Sequence, residues 1–178
     1  IKAETTGPEK GKLTSKITDT AKVLWFIYFG MTMIEFVLLK FAGMDLIDAL
    51  SHAFSTLGTG GFSTKNSSIG YYNSLSIEVI CSVFMFLSGI NFSLYYFGFT
   101  GKLSDVKDNT EFKVYVSLCL SAILLVTFVQ IKNYGGFLTS LRYSSFQTLS
   151  IVSTTGFSTA DFTLWAPAAQ AVLFILFF

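Results

Sequence analysis

The sequence predicts an all-α membrane protein made of two repeats, each with a spanning helix, a short helix, a loop and a second spanning helix. Of the 178 residues, 52% are hydrophobic and only 13% are charged, whereas soluble domains average about 25% charged residues. Several apolar runs approach the roughly 20 residues that a helix needs to cross a bilayer. Finally, Ser-Thr-Leu-Gly-Thr-Gly-Gly-Phe-Ser-Thr at 55–64 returns without a gap as Ser-Ile-Val-Ser-Thr-Thr-Gly-Phe-Ser-Thr at 150–159, which indicates an internal repeat.

The first repeat follows a polar, basic segment at 1–19, which we expect to be cytoplasmic. The helix at 45–56 is too short to span and runs directly into a Gly-rich loop, so we expect it to be re-entrant. The predicted elements of this repeat, which covers 20–99, are a helix at 20–41, a pore helix at 45–56, a filter loop at 59–63 and an uncharged helix at 77–99.

The second repeat, at 114–178, follows a charged cytoplasmic linker at 100–113. Its predicted elements are a helix at 114–131, a pore helix at 141–152, a filter loop at 154–158 and the start of a helix at 167–178. Eight lysines lie on the side away from the loops and four basic residues lie on the loop side, which favours a cytoplasmic N-terminus. The last apolar run has no polar residue to end it, so we expect a fragment of a longer chain.

Two charged residues need separate explanations. Glu35 interrupts the first span, where an ionisable group is costly and marks a functional site by default. Its repeat counterpart is the neutral Gln130, so a role shared by both repeats would not require charge, and we expect structural pairing of Glu35 rather than a functional site. Arg142 stands at the outer end of the second pore helix and is expected to be a surface or capping residue.

The two loops carry the functional prediction. Irregular backbone at membrane depth is tolerated only where protein buries it or where it lines a watery path. Gly-rich loops can present consecutive carbonyl oxygens to a dehydrated alkali cation. Small residues could instead merely allow tight helix packing, but the gapless repeat and the short helix before each loop favour an ion path. We predict main-chain cation ligands at Thr59, Gly60, Gly61, Phe62, Thr154, Thr155, Gly156 and Phe157.

Two residues on the pore helices are expected to support these loops. His52 is the only histidine, and its repeat counterpart is Gln147. Both lie behind a loop, so we expect hydrogen bonds that brace the filter. With one His and two isolated cysteines, Cys81 and Cys119, no catalytic or metal-ligating set can be assembled, so we expect neither an enzyme nor a resident cofactor.

Other partners and transported species are less well supported. The net charge of +1 gives no sign of a nucleic-acid partner. A secondary transporter of an organic anion would need helix N-termini or buried arginines facing its substrate. Here the short helices present their C-terminal ends to the loops, and no arginine lies within a span.

The loops resemble the Thr-Val-Gly-Tyr-Gly filter of potassium channels. In the best register Gly61 and Gly156 match the first glycine, and Phe62 and Phe157 match the aromatic residue, but neither loop keeps the second glycine. The chain as a whole is similar to TrkH-type potassium uptake proteins of the Trk/Ktr/HKT superfamily. The matching motifs are Ala-Glu-Thr-Thr-Gly-Pro at 3–8, His-Ala-Phe-Ser-Thr at 52–56, Gly-Gly-Phe-Ser-Thr at 60–64, Phe-Met-Phe-Leu-Ser-Gly-Ile-Asn-Phe-Ser at 84–93 and Ser-Thr-Thr-Gly-Phe-Ser-Thr-Ala-Asp-Phe at 153–162.

The resemblance implies a pore formed by four such units, of which this chain looks like the second and most of the third. It implies potassium as the transported substrate, a multi-pass protein in the lipid of the bacterial inner membrane, a homodimer and a cytosolic TrkA-type nucleotide-binding partner. The family's gating loop would lie beyond Phe178. A sodium or less selective monovalent-cation transporter of the same superfamily is the alternative. The residues leave both channel-like conduction and ion-coupled uptake open.

Overall fold

The computed structural model describes residues 10–99, 106 and 108–177, with main chain alone for 10–20 and 99. Most of these residues lie in helices, and none of them forms a strand. Residues 1–9 of the expected cytoplasmic segment, and residues 100–105 and 107 of the expected linker, lie outside the described part.

The first repeat contains two long helical regions that enclose a short helix. The short helix α2 begins after Asp45, and Asp48 lies in its first turn, where a carboxylate suits the positive end of the helix dipole. A 3₁₀ turn, here called the outer turn, follows the first loop. The elements are α1 (Lys10–Phe41), α2 (Leu46–Leu57), the outer turn (Ser68–Tyr72), α3 (Leu75–Ser88) and α4 (Phe92–Phe99).

The second repeat has the same order. Its long helix begins at a cap in which the Asn109 side chain accepts a hydrogen bond from the Phe112 N–H at 2.9 Å. It ends at Gly135, whose φ of 69° gives the left-handed cap that glycine permits. The elements are α5 (Thr110–Tyr134), α6 (Phe137–Val152), a 3₁₀ turn (Phe162–Leu164) and α7 (Pro167–Leu176).

Two helices are long and apolar enough to cross a membrane by length and composition, at Ala21–Phe41 and Thr110–Tyr134. Both carry large exposed apolar side chains: Phe26 is 66% exposed and Phe128 is 63% exposed. Contiguous exposed apolar surface of this kind is typical of contact with lipid or with further protein. Both helices are longer than expected, since α1 begins at residue 10 and α5 at residue 110.

The prediction of one continuous helix at 77–99 is wrong, because α3 and α4 meet at a bend of 91°. A bent helix leaves main-chain carbonyls without their helical partners. Tyr95 donates its hydroxyl to the Leu87 carbonyl at 2.6 Å, and Tyr115 donates to the Phe86 carbonyl at 3.0 Å. These two hydroxyls therefore satisfy carbonyls beside the break at Gly89.

The main hydrophobic core is shared by both repeats. Two phenylalanines of the second repeat pack among residues of the first, and all members of the cluster are at most 2% exposed. Burying apolar side chains of this size stabilises the fold by about 1.5–3 kcal/mol each. The members are Leu39, Met44, Ala49, Ile69, Ile77, Cys81, Met85, Phe146 and Phe157.

Candidate ion-binding site

Each predicted filter loop begins directly after the C-terminal end of a short helix. Helix α2 ends at Leu57, directly before the first loop, and α6 ends at Val152, directly before the second. The C-terminal end of a helix carries a partial negative charge from its unpaired carbonyls. Both loops therefore lie where a cation is favoured.

The two loops share an unusual backbone. Thr59 and Gly61 have φ of 47° and 67°, and their counterparts Thr154 and Gly156 have φ of 60° and 85°. Intervening residues do not adopt positive φ. A threonine in this region costs about 1–2 kcal/mol, and such strain concentrates at functional sites. Backbone that alternates in this way can turn successive carbonyls toward one side, as a carbonyl-lined cation site requires.

The two loops lie against each other. A β-carbon added at Gly61 would overlap the Thr155 carbonyl oxygen of the second loop. Beyond the loops, the Gly70 N–H donates to the Ser158 carbonyl at 3.1 Å, and the Ser158 N–H donates to the Ser68 hydroxyl at 3.3 Å. The structure thus brings both sets of predicted ligands together, and the outer turn of the first repeat contacts the exit of the second loop.

His52 holds the exit of the first loop to its own pore helix. Its Nδ1 lies 2.7 Å from the Asp48 carbonyl and its Nε2 lies 2.9 Å from the Ser63 hydroxyl. A carbonyl only accepts, so Nδ1 carries the proton, and in the neutral ring Nε2 accepts from Ser63. Burial lowers the pKa of His52, which favours this neutral form.

The Asp48 carboxylate interacts with three donor groups of residues that follow the first loop. Thr64 donates its hydroxyl at 2.7 Å, Tyr72 donates at 2.7 Å, and the Lys65 ammonium lies 3.0 Å away. The hydrogen bond from Thr64, followed by that from Tyr72, lowers the pKa of Asp48 to about 2. The same carboxylate raises the pKa of Lys65. Burial and then Asp48 raise the pKa of Tyr72.

The second loop is held differently. Ser150 donates its hydroxyl to the Phe157 carbonyl at 2.6 Å, and the Ser153 and Thr155 hydroxyls lie 2.8 Å apart. Gln147 is buried, but its side-chain oxygen has no hydrogen-bond partner among the described residues. Its counterpart His52 bonds with both ring nitrogens, so the two supports expected to be equivalent differ in geometry.

The aromatic residues of the two loops also differ. Phe157 is fully buried in the shared core, with its ring 5.6 Å from the His52 ring. Phe62, at the matching position of the first loop, is 80% exposed. The Phe157 side chain of the second loop therefore packs against α2 of the first repeat.

Two expectations for charged residues are wrong. Arg142 is not a surface or capping residue, because it forms a two-bond ion pair with Glu78 at 2.6 and 2.7 Å. This pair joins α6 to α3, and therefore one repeat to the other. The structural pairing expected for Glu35 is also missing: the side chain is fully buried, and neither oxygen has a hydrogen-bond partner among the described residues.

Several residues that support the loops are not predicted by the sequence. Nothing in the sequence pattern marks Asp48, Lys65 or Tyr72 as a support of the loops. Ser150 had one available signal, since it begins the repeated loop motif and so matches Ser55. Within the described residues there is no group of three or more His, Cys, Asp or Glu placed to hold a metal ion. A cation at these loops would therefore depend on carbonyl and hydroxyl oxygens.

Paired short helices, each ending at a loop of alternating handedness and packed beside apolar helices long enough to cross a bilayer, define an all-α protein of the membrane class. A sequence model of the TrkH family, described as a cation transport protein, matches residues 2–131. The chain belongs to that family. The predictions of an all-α fold and of a TrkH-type relationship are confirmed.

Named relatives agree with this placement. The chain is 39% identical over 181 residues to the Trk system potassium uptake protein TrkH of Halomonas elongata, covering 99% of this chain and 37% of that protein. It is 32% identical to the Trk system potassium uptake protein TrkG of Escherichia coli, covering 98% and 36%. The crystal structure of the potassium transporter TrkH from Vibrio parahaemolyticus superposes with a TM-score of 0.84 at 34% identity, covering 90% of this chain and 36% of that one. The chain thus spans little more than a third of these relatives.

Proposed function

We propose that the complete protein carrying this chain takes up potassium through a pore, and that this chain supplies two of the segments of its selectivity filter. The observation that carries the proposal is the matched backbone at Thr59–Gly61 and Thr154–Gly156, with the same two positions left-handed in each loop. Main-chain carbonyls of 59–62 and 154–157 act as the potassium ligands.

Electrostatics and dehydration explain why such loops select a cation. Potassium must exchange its hydration shell for protein oxygens, which rings of backbone carbonyls provide. The C-terminal ends of α2 and α6 add partial negative charge behind these oxygens. Because the two loops are in direct contact at Gly61 and Thr155, their carbonyls belong to one shared site.

Sodium or less selective cation transport is the second candidate. One observation favours it: Ser63 and Ser158 stand where the strict potassium filter has its second glycine. A serine there restricts the backbone and leaves fewer carbonyls free to converge. The selectivity measurement below separates the two candidates.

The assembly and location are proposed from the family relationship. We propose a homodimer in the bacterial inner membrane, with the N-terminus in the cytoplasm and a cytosolic TrkA-type nucleotide-binding subunit as regulator. The relatives are named as parts of a Trk system, which supports a multi-component transporter.

Replacing the shared glycines tests the filter. In the complete protein, expressed in cells that lack their own potassium uptake, Gly61→Ala and Gly156→Ala should each reduce the preference for potassium over sodium. The left-handed φ alone costs about 1–2 kcal/mol for alanine, which corresponds to roughly a tenfold change. Gly61→Ala should have the larger effect, because the methyl group would also overlap the Thr155 carbonyl.

Gly135→Ala is the matched control. Gly135 has a φ of 69° and caps α5, and a β-carbon added there would contact neither loop. This variant should lower stability and leave ion preference unchanged. If both filter variants keep wild-type potassium uptake and sodium discrimination, the filter assignment is wrong.

A further inference from the structure

We propose that Asp48 and Tyr72 are positioning residues for cation selection, which together brace the exits of both filter loops. The inference rests on the proposed function, since it concerns the geometry of the same site. It assigns a role to the Asp48 carboxylate, whose partners are Thr64, Tyr72 and Lys65 and none of the predicted cation ligands.

The first half of the brace fixes the first loop. Thr64 lies two residues beyond Phe62, and its hydroxyl donates to Asp48 Oδ1 at 2.7 Å. Asp48 belongs to the first turn of α2, a helix that packs against both α1 and α3. The exit of the loop is therefore tied to a part of the fold held on two sides.

The second half reaches the other loop through the outer turn. Tyr72, at the end of that turn, donates to Asp48 Oδ2 at 2.7 Å. Gly70 and Ser68, in the same turn, hold the main chain of Ser158 at 3.1 and 3.3 Å. Movement of Tyr72 would consequently be transmitted to the exit of the second loop over a few residues of one short turn.

The brace has no copy in the second repeat. The counterparts of Asp48, Lys65 and Tyr72 at the repeat spacing are Tyr143, Ala160 and Pro167. The carboxylate, the ammonium and the phenol are therefore each missing from the matching position. A contact needed merely for folding either repeat would be expected in both. One carboxylate serving two loops instead indicates a role in their relative position.

The surrounding charges keep the Asp48 carboxylate ionised. Lys65 and the hydroxyls of Thr64 and Tyr72 face it, and His52 lies one turn further along α2. Because the pKa is lowered, to about 2, the contribution of this carboxylate is complete above the ordinary value near 4 and is lost as pH falls through about 2. Removing the Tyr72 hydroxyl takes away one cause of that shift, so acid should act at a higher pH.

Variants of the complete protein test the brace in cells and in proteoliposomes, with potassium, rubidium and sodium as the probes. Asp48→Asn and Tyr72→Phe should each lower the preference for potassium over sodium by roughly tenfold, the expected effect of losing a hydrogen bond to a charged group. The double variant should be no worse than Asp48→Asn alone, because both changes remove the same charge-assisted hydrogen bond. In Tyr72→Phe, the acid-induced loss of selectivity should move to higher pH.

Asp161→Asn is the matched control. Its carboxylate also accepts from a neighbouring hydroxyl, that of Thr163 at 2.6 Å, but this hydrogen bond stays within one exposed turn. It should therefore retain selectivity, which separates loss of the brace from loss of negative charge on the outer side. Tyr72→Phe deletes one oxygen atom and provides the test if Asp48→Asn fails to fold.

The outcomes distinguish this inference from the proposed function. If Gly61→Ala abolishes selectivity while Asp48→Asn and Tyr72→Phe retain it at every pH, the brace is wrong and the filter stands. If the wild type carries no potassium, the proposed function itself fails. Reduced protein yield with unchanged selectivity would also overturn the brace, because it would show that the contact serves folding alone.

Discussion

The ion pair between Arg142 and Glu78 provides the sharpest test of how the two repeats are joined. The perturbation is a double-mutant cycle with Arg142→Met, Glu78→Gln and both together. The guanidinium meets both carboxylate oxygens, at 2.6 and 2.7 Å. The pair lines an apolar groove of about 270 Å³ between α3 and α6.

The expected magnitudes follow from the exposure of each partner. Breaking a buried pair costs about 3–5 kcal/mol, because one charge stays uncompensated, whereas replacing both partners can be nearly neutral. The Glu78 side chain is 4% exposed and that of Arg142 is 26% exposed. Arg142→Met, which strands the more buried charge, should therefore cost about 4–5 kcal/mol, and Glu78→Gln about 3 kcal/mol.

The free energy of unfolding of the complete protein in detergent, followed by tryptophan fluorescence, measures these effects. The double variant should be more stable than Arg142→Met alone. The reasoning is refuted if Arg142→Met stays within about 0.5 kcal/mol of the wild type, which is the range of an ordinary surface substitution. Additive losses in the double variant would refute it equally, since they would show that the two groups act separately.

Two further predictions use pairs of chemically matched positions. Ser150→Ala should weaken potassium selectivity in uptake assays, because it removes the hydrogen bond to the Phe157 carbonyl, which is worth about 0.5–1.5 kcal/mol. Ser55→Ala should leave selectivity unchanged, since the Ser55 hydroxyl has no partner among the described residues. Gly89→Ala should lower the thermal stability of the complete protein, because its methyl group would overlap the Tyr115 hydroxyl, whereas Gly98→Ala meets open space and should be tolerated. Equal effects within either pair would contradict the corresponding contact.

The two loops can be predicted because the features that mark each of them lie close to it in the sequence. Ser-Thr-Gly-Phe-Ser-Thr spacing, short preceding helices and apolar flanks all lie within about 25 residues of each loop. The left-handed backbone at Gly61 and Gly156 is one that glycine readily adopts, whereas nothing in the sequence indicates it at Thr59 or Thr154, where a threonine adopts a conformation that it disfavours. The assignment of these residues as cation ligands stays a prediction.

The break between α3 and α4 could not be predicted from the apolar pattern, which continues through it. What makes the break tolerable is a pair of tyrosine hydroxyls from Tyr95 and Tyr115, eight and 29 residues from the carbonyls that they satisfy. The supports of the first loop have the same character. Thr64 and Tyr72 are 16 and 24 residues from Asp48, and only the folded chain brings them together.

The shared core has a consequence for the order in which this protein is made. Synthesis proceeds from the N-terminus, so the first repeat emerges while Phe146 and Phe157 are still to be translated. Until then, the site that these two rings fill beside Met44 and Ile77 has no occupant from this chain. Helix α2 therefore reaches its final packing only after the second loop has been synthesised.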